Sequence, residues 1–489
     1  MKRLLSHLVS IAACLLALGC TAEPANQSNK NAVPPSAPAA TASPATEASA
    51  EKAANAEPLT LPVLDAFFAD ESFPGLLKSR LQLNDEQIAK LKELAHSETA
   101  KLNEGTTGKA EGETAAARET AEEKVRTLIG EEKAKQLATL VRARWSEAGE
   151  NPPEKAAAGS RNPNTPEEFA AMPPNTVPTD SRIVVNAPAF RMDVFDGGRL
   201  IKSYKIGIGY PQFPLPTGLR QARAIIFNPT WTPPDEPWVA KMKNVAVGEK
   251  VEAGSALNPL GPIKIPIGLP SLIHGGKSPA KLGTFASHGC VGLTTPQVRD
   301  FAKVLAQLGG AQLTDAALAG YARNKTETKQ MKLGNAVPVE LRYETIVVED
   351  GKLHIYRDVY DQDTNTEENL RAVLEANGVK LGDLTEEERG QALDALALLS
   401  GKSSATIARS SPAAKAGPTP VSSPGALSSE GKKTGATKKP TRPLKNQKEI
   451  VIEIAALKGK GYPAPVDLDT GSGKTKAALA PAPKPVTAP

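Results

Sequence analysis

One cysteine and two histidines are the side chains of this sequence best suited to covalent chemistry. Cys290 lies in the segment SHGCVGL, with His288 two residues before it and His274 16 residues before it. A thiol attacks as its thiolate, and an imidazole can take the thiol proton and later give it to a leaving amine. The pattern therefore predicts thiol catalysis, with Cys290 as the nucleophile.

Either histidine could serve as the proton carrier. His288 can contact Cys290 because residues i and i−2 of an extended segment share a face. His274 can approach from a neighbouring strand and be oriented by a third group, as in catalytic triads. Two ordinary loop histidines are one alternative. A zinc site is another, but no fourth ligand is evident and His-x-Cys is a cramped pair of ligands, so no metal is predicted.

The first residues indicate export. They read MKRLLSHLVSIAACLLALGC, in which Lys2 and Arg3 precede an apolar run too short to span a bilayer comfortably. The run ends at Cys20 and resembles a bacterial lipoprotein signal, here residues 1–19, after which the cysteine is lipidated. We expect the periplasmic face of the cell envelope and, because Thr21 rather than Asp follows the cysteine, the outer membrane.

The cysteine count agrees with a functional thiol. Of the three cysteines, Cys14 would leave with the signal and Cys20 would carry lipid, so Cys290 would be the remaining thiol. Exported proteins usually pair their cysteines or lack them, which indicates that this thiol is used. A net charge of +5 and the lack of a recognisable nucleic-acid module predict no nucleic-acid partner.

Alternating strands must position these residues. From residue 180 the apolar residues alternate, with a hairpin turn at 196–198, and the segment TTPQVRDFAKVLAQL predicts a helix with Thr295 at its cap and Pro296 at its first position. The positive end of that helix would favour a thiolate at Cys290. We predict a mostly β domain over residues 180–343, with a helix directly after the nucleophile.

Composition divides the rest of the chain into further segments. Segments rich in Ala, Pro, Ser and Thr are predicted to be long disordered linkers, and the 3.6-residue apolar period predicts a small α-helical N-terminal domain. The predicted segments are a tether at 20–57, a helical domain at 58–150, a linker at 151–179, a hairpin and helical extension at 344–401, and a basic low-complexity tail at 402–489.

The cysteine and histidine motifs resemble a known family. The pattern IHGG…SHGCVGL is similar to the signature of the L,D-transpeptidase (YkuD-type) catalytic domain, and the segments LPTG, NPTWTPP, NPLG and VPVEL extend the resemblance over residues 181–343. It implies a YkuD-like β-sandwich or barrel with a helix after the nucleophile. Two departures are Gly292, where the family usually has Arg or Asn, and an apparent insertion containing TDAALAGYARNKTETKQ.

The resemblance also implies a role for each matching residue. Cys290 would be the nucleophile and His274 the general base and acid, oriented by the carbonyl of Gly275. Ser287 and His288 would shape the pocket, and backbone N–H groups near Gly289 and Cys290 would form the oxyanion hole.

The resemblance predicts an L,D-transpeptidase that acts on peptidoglycan stem peptides. A thioester on Cys290 would pass to an amine of another stem or of a wall-linked protein, with no cofactor, while a lipid anchor holds the protein at the membrane. Two alternatives stay open: an L,D-carboxypeptidase or hydrolase with the same site, and a non-catalytic cell-wall-binding protein.

The lipid anchor gives the first testable prediction. We expect the protein to sediment with membranes, because a lipidated Cys20 would carry the two or more acyl chains that stable attachment needs. Cys20→Ala removes the site of lipidation and should release the protein. Fractionation followed by immunoblotting measures this, with Cys14→Ala as the control that stays attached. A wild-type protein found only in the soluble periplasmic fraction would contradict the prediction.

Overall fold

The computed structural model describes residues 59–102, 113–147, 171–268, 271–400 and 447–471. The predicted signal peptide, Cys20 and the predicted tether at 20–57 lie outside the described residues, as does most of the predicted linker at 151–179. Within the described ranges, no helix is both long enough and apolar enough to cross a membrane.

The N-terminal region is helical, as predicted. Its helices are α1 (Leu61–Phe68), α2 (Phe73–Leu81), α3 (Asp85–Lys101), α4 (Glu113–Ile129) and α5 (Glu131–Glu147). Phe67 and Phe68 contact Phe73 with ring centroids 5.4 and 5.3 Å apart, within a core of buried leucines and valines. Asn84 caps α3 by accepting a hydrogen bond from the Gln87 N–H at 2.8 Å, as its sequence position indicates.

A mixed sheet forms the centre of the next region. The strands and short segments of this region are β1 (Arg182–Asn186), β2 (Arg191–Asp196), β3 (Arg199–Lys205), β4 (Ile208–Gly209), β5 (Gly218–Phe227), the short helix α6 (Pro237–Ala240), β6 (Ile263–Pro266), β7 (Leu272–Lys277), β8 (Phe285–Ser287), β9 (Val291–Thr294) and β10 (Lys329–Arg342). In the sheet, the strands lie in the order β3, β2, β1, β10, β5, β6, β7, β9. The pairs β1–β10 and β7–β9 are parallel, and the other neighbours are antiparallel.

The sheet curls until its two ends meet. The backbones of Gly207, just after β3, and Gly292, in β9, exchange two hydrogen bonds of 2.9 and 2.8 Å. Strands at opposite ends of the sheet order are therefore joined through these glycines. The prediction of a mostly β domain with a curled, barrel-like sheet is confirmed.

Two helices follow β9: α7 (Thr295–Leu308) and α8 (Asp315–Arg323). The helix predicted after the nucleophile is therefore present, but its cap lies one residue earlier than predicted. Thr294 accepts a hydrogen bond from the Gln297 N–H, and the Gln297 side chain accepts one from the Thr294 N–H. The reciprocal bonds of this capping box select Thr294 over Thr295, because Gln297 lies three residues after Thr294.

The last region contains a second sheet. The elements of this region are β11 (Ile346–Glu349), β12 (Lys352–Tyr356), α9 (Glu367–Ala376), α10 (Glu386–Leu399) and β13 (Glu449–Glu453), and the three strands form the sheet. β13 pairs with β12, and Ile452 packs in the same apolar core as the helices. Within the predicted tail at 402–489 the structure describes residues 447–471, in which β13 pairs with β12 and Ile452, Ile454 and Leu457 are buried.

A buried ionic cluster joins these strands to the last region. Glu340 of β10 is 4% exposed and accepts a hydrogen bond from the Arg182 guanidinium at 2.6 Å. The Arg342 guanidinium also donates to Glu340, at 3.1 Å, and to the Tyr462 hydroxyl at 2.7 Å. Two buried arginines therefore share the Glu340 carboxylate, although each also pairs with a second carboxylate, Asp180 for Arg182 and Glu344 for Arg342.

This cluster gives a stability prediction. We expect Glu340→Gln to lower the free energy of unfolding by about 2 kcal/mol, because it removes the buried negative charge that both arginines share and leaves each of them with one carboxylate partner. Urea unfolding measures this. The matched control is Glu386→Gln, whose side chain is 96% exposed and should leave stability unchanged. Equal unfolding midpoints for both variants would contradict the prediction.

Candidate active site

The candidate nucleophile and base lie on neighbouring parallel strands. β7 carries His274, and β9 begins directly after Cys290. Ile273 is opposite Val291 in the register, and His274 is opposite Gly292. Ile273 and Val291 are both fully buried in the core. Because side chains alternate along a strand, Cys290 and His274 lie on the other face of the sheet, together.

A backbone carbonyl fixes the imidazole of His274. The ring Nδ1 lies 2.8 Å from the Gly275 carbonyl oxygen, and the side chain is 3% exposed. A carbonyl oxygen only accepts hydrogen bonds, so Nδ1 carries the proton and Nε2 remains an acceptor. Burial, reinforced by the positive charge of Lys277, lowers the pKa of His274 to about 3 despite opposing hydrogen bonds to backbone. The imidazole is therefore neutral near pH 7.

A tight turn holds Cys290. The Ser287 hydroxyl donates to the Cys290 carbonyl oxygen at 2.6 Å and accepts from the Cys290 N–H at 2.9 Å. Gly289 has a φ of +89°, which favours glycine, and its carbonyl accepts a hydrogen bond from the Ser271 hydroxyl at 2.8 Å. The Cys290 N–H, expected in the oxyanion hole, thus donates to Ser287 in this structure.

Opposing influences set the state of the thiol. Burial raises the pKa of Cys290, and the negative charge of Glu236 raises it further. The backbone N–H of Leu272 and the positive charge of Lys277 lower it. The net direction is upward, so the resting group is a thiol and its proton must be removed during attack.

His288 lies in an aromatic enclosure rather than free in a loop. Its ring stacks on Trp238 with centroids 4.3 Å apart and an interplanar angle of 10°. Phe213 and Tyr210 meet the same ring edge-on, at 4.7 and 5.3 Å. Burial, followed by the charge of Lys277, lowers the pKa of His288 to about 3. These contacts give His288 a packing role in the wall of the pocket.

The helical N-terminal region holds one of the loops that enclose His288. The Thr60 hydroxyl, just before α1, donates to the Gln212 carbonyl oxygen at 2.6 Å. The Gln212 side chain in turn donates to the Glu113 carboxylate at 2.7 Å. Gln212 lies between Tyr210 and Phe213, so these bonds connect two distant helices to the aromatic wall of the site.

The same helical region holds the segment that carries Trp238. The Lys241 ammonium, directly after α6, donates to the carbonyls of Ala100 and Leu102 at the end of α3. Lys92 of α3 also lies 3.7 Å from the Asp235 carboxylate. The short helix that places Trp238 over His288 is therefore attached to α3.

Glu236 is a buried carboxyl group beside this enclosure. It is 6% exposed, and the Trp238 indole N–H donates to it. Burial raises the pKa of Glu236 to about 7, and the neighbouring Asp65 and Asp235 charges contribute. Its negative charge acts on the Cys290 thiol, so Glu236 belongs to the electrostatic surroundings of the nucleophile.

Motif analysis alone missed several of these residues. They are Tyr210, Phe213, Glu236, Trp238 and Lys277. A signal for the aromatic residues was available, because aromatics make up only 4% of the chain and yet cluster in the segments YPQF and NPTWTPPDEPW. Among the described residues, no group of three His, Cys, Asp or Glu side chains is arranged to hold a metal ion.

Comparison with known proteins agrees with the geometry. Residues 180–333 match the family model of the L,D-transpeptidase catalytic domain, YkuD, and this range includes His274 and Cys290. The predicted resemblance to that domain is confirmed, while the lipoprotein-type signal stays a prediction. No curated protein matches the chain.

Several solved structures are similar over part of the chain. An avibactam carbamoyl enzyme is 14% identical over 34% of this chain and 49% of its own, with a TM-score of 0.22. An L,D-transpeptidase from Mycobacterium smegmatis is 15% identical over 33% of this chain and 58% of its own, with a TM-score of 0.21. The catalytic domain of an Enterococcus faecium L,D-transpeptidase is 17% identical over 34% of this chain and 98% of its own, with a TM-score of 0.20. This chain thus spans about half the length of the first two.

The buried carboxyl of Glu236 gives a pH-dependent prediction. We expect Glu236→Gln to speed the alkylation of Cys290 by iodoacetamide above about pH 7, the pKa of Glu236. Above that pH the wild-type carboxylate is charged and opposes the thiolate; below it the carboxyl is neutral, so the two proteins should react alike. Mass spectrometry of the Cys290 peptide gives the rates.

The neighbouring imidazole keeps its protonation state over this pH range. His274, with a pKa of about 3, stays neutral throughout, so it does not contribute to the difference. Glu252→Gln is the control, since that side chain is 66% exposed. Alkylation of Glu236→Gln that is equal to or slower than wild type at alkaline pH would contradict the assignment.

Proposed function

We propose that this protein is an L,D-transpeptidase of the cell envelope that acts on peptidoglycan stem peptides through a thioester at Cys290. The match of residues 180–333 to the L,D-transpeptidase catalytic domain supports this. One geometric observation carries the proposal: Cys290 and His274 share a sheet face, and the Gly275 carbonyl leaves Nε2 of His274 as the acceptor.

In the acylation step, Nε2 of His274 takes the thiol proton while Sγ of Cys290 attacks the carbonyl carbon of the stem's diamino-acid residue. The tetrahedral intermediate then collapses and the C–N bond to the terminal D-alanine breaks. The imidazolium returns the proton to the amine of the leaving D-alanine. The products are a thioester on Cys290 and free D-alanine.

In the second step an amine attacks the thioester. The amine loses a proton to His274, the C–S bond breaks, and the departing sulfur regains the proton. The acceptor is an amine of another stem or of a wall-linked protein. Water in its place would give an L,D-carboxypeptidase. Atoms and charge balance in both steps without a cofactor.

The pKa shifts support a neutral resting pair. Burial raises the pKa of the Cys290 thiol and lowers that of His274 to about 3, so neither group is charged near pH 7. An ion pair is therefore not stored before the substrate arrives. The proton moves as the C–S bond forms, which ties activation of the nucleophile to the presence of a carbonyl.

The envelope location forms part of the proposal. Peptidoglycan lies outside the cytoplasm, and the lipoprotein-type signal with Cys20 would hold the enzyme at the periplasmic face, at the outer membrane. Its partners would then be stem peptides, the membrane through the lipid, and a wall-linked protein as acceptor.

Variants of Cys290 and the two histidines test the mechanism. We expect Cys290→Ala to abolish release of D-alanine, and His274→Ala to slow it by about 10²–10⁴-fold, the usual contribution of general acid–base catalysis. His288→Ala should retain partial activity because its contacts are packing contacts. The assay incubates a stem tetrapeptide with an amine acceptor and identifies the products by mass spectrometry.

A carbapenem separates an enzyme from a binding protein with the same fold. A competent Cys290 should form a stable acyl adduct, and Cys290→Ala should form none while unfolding at the same urea concentration. Comparable turnover by wild type and Cys290→Ala would overturn the thiol mechanism. Release of D-alanine from the stem, without transfer of the remaining stem peptide to the amine acceptor, would favour the hydrolase instead.

A further inference from the structure

The side chain of Lys277, the last residue of β7, lies over the neighbouring strand β9. In the register, Lys277 is opposite Thr294. A Cβ atom placed on Gly292 would nevertheless lie 2.8, 3.4 and 3.0 Å from its Cγ, Cδ and Cε atoms. The lysine stem therefore lies over the glycine opposite His274, on the face of the sheet to which His274 and Cys290 belong.

The charge of the Lys277 ammonium influences three groups of the candidate site. Its positive charge lowers the pKa of the Cys290 thiol and of both His274 and His288. A single cation thus lies within electrostatic reach of the nucleophile, the base and the enclosed histidine. The side chain is half-buried, so its charge is less screened than that of a surface lysine.

The proposed donor brings an anion to this place. In the terminal D-alanine, the scissile nitrogen and the carboxylate are attached to the same Cα atom. When Sγ of Cys290 reaches the carbonyl, that carboxylate must therefore lie within a few ångströms of the thiol. A carboxylate that leaves water in a half-buried site requires a cationic partner to offset its lost hydration.

We propose that Lys277 binds the carboxylate of the donor's terminal D-amino acid and so determines which stem ends the enzyme accepts. The inference rests on the proposed function and adds a specificity residue to it. Lys277 stands on β7, but its stem occupies the space above Gly292 of β9. A side chain at position 292 would collide with that stem, so glycine at this position leaves room for Lys277.

Donors that differ only at the C-terminus test the proposal. They are a stem tetrapeptide acid and the same peptide as its carboxamide. We expect Lys277→Gln to raise KM for the acid at least tenfold and to bring the acid-to-amide ratio of kcat/KM close to one. Lys281→Gln is the control, because it removes an exposed lysine four residues away and should preserve the wild-type ratio. Equal losses on both donors would overturn the proposal.

A relocation of the charge provides a second test. Gly292 lies outside the left-handed region of φ, so a side chain there is compatible with its backbone. Lys277→Ala frees the space, and adding Gly292→Lys places an ammonium on β9 instead. We expect the double variant to have a higher acid-to-amide ratio of kcat/KM than Lys277→Ala alone. A folded double variant whose acid-to-amide ratio of kcat/KM stays as low as that of Lys277→Ala would count against carboxylate binding.

A binding measurement separates this inference from the proposed function. In the Cys290→Ala background, calorimetry compares binding of the acid and the carboxamide, with and without Lys277→Gln. Wild-type protein that forms no acyl-enzyme refutes the proposed function, and the binding arm then decides the role of Lys277 alone. Preference for the acid that disappears with Lys277→Gln supports the inference, and preference that is unchanged overturns it.

Discussion

The parallel pairing of β7 with β9 determines what this site can do. Adjacent parallel strands place residues of matching register on the same face, so one pairing brings a histidine and a cysteine 16 residues apart to a common surface. The same pairing places β9 at the end of the sheet order, where the Gly292 backbone also forms hydrogen bonds with Gly207. The backbone of Gly292 therefore pairs on both sides, with His274 and with Gly207, two residues after Cys290.

Burial shapes the chemistry as strongly as position does. The thiol and the imidazole are both kept neutral because a low-dielectric surrounding penalises their charged forms. Lys277 and Glu236 then act on the thiol with opposite signs. The Cys290 thiol thus lies within electrostatic reach of both a cation and an anion, whose effects on its pKa oppose each other.

Local sequence signals predicted local features well. The hairpin turn at 196–198 and the helix that follows Cys290 each depend on neighbouring residues, and the structure contains both. The shift of the α7 cap to Thr294 is also local, and the Gln297 three residues later was the signal for it.

Features that depend on distant residues were not predictable in this way. The closure through Gly207 and Gly292 joins segments 85 residues apart, and β13 pairs with β12 although its first residue lies 93 residues after the end of β12. Trp238 over His288 and Lys277 over Gly292 are likewise side-chain contacts between different segments. Periodicity describes which face a residue occupies, but not which segment it will meet.

The attachment of the aromatic loops to the helical region has a consequence for evolution and for engineering. Thr60 and Glu113 hold the loop around Gln212, and α3 holds the segment around Lys241. The helices and the β domain are thus mutually adapted, and drift in one must be matched by drift in the other. A hybrid that joins this β domain to helices from another protein would inherit Cys290 and His274 but lose the hydrogen bonds that hold the aromatic loops beside them.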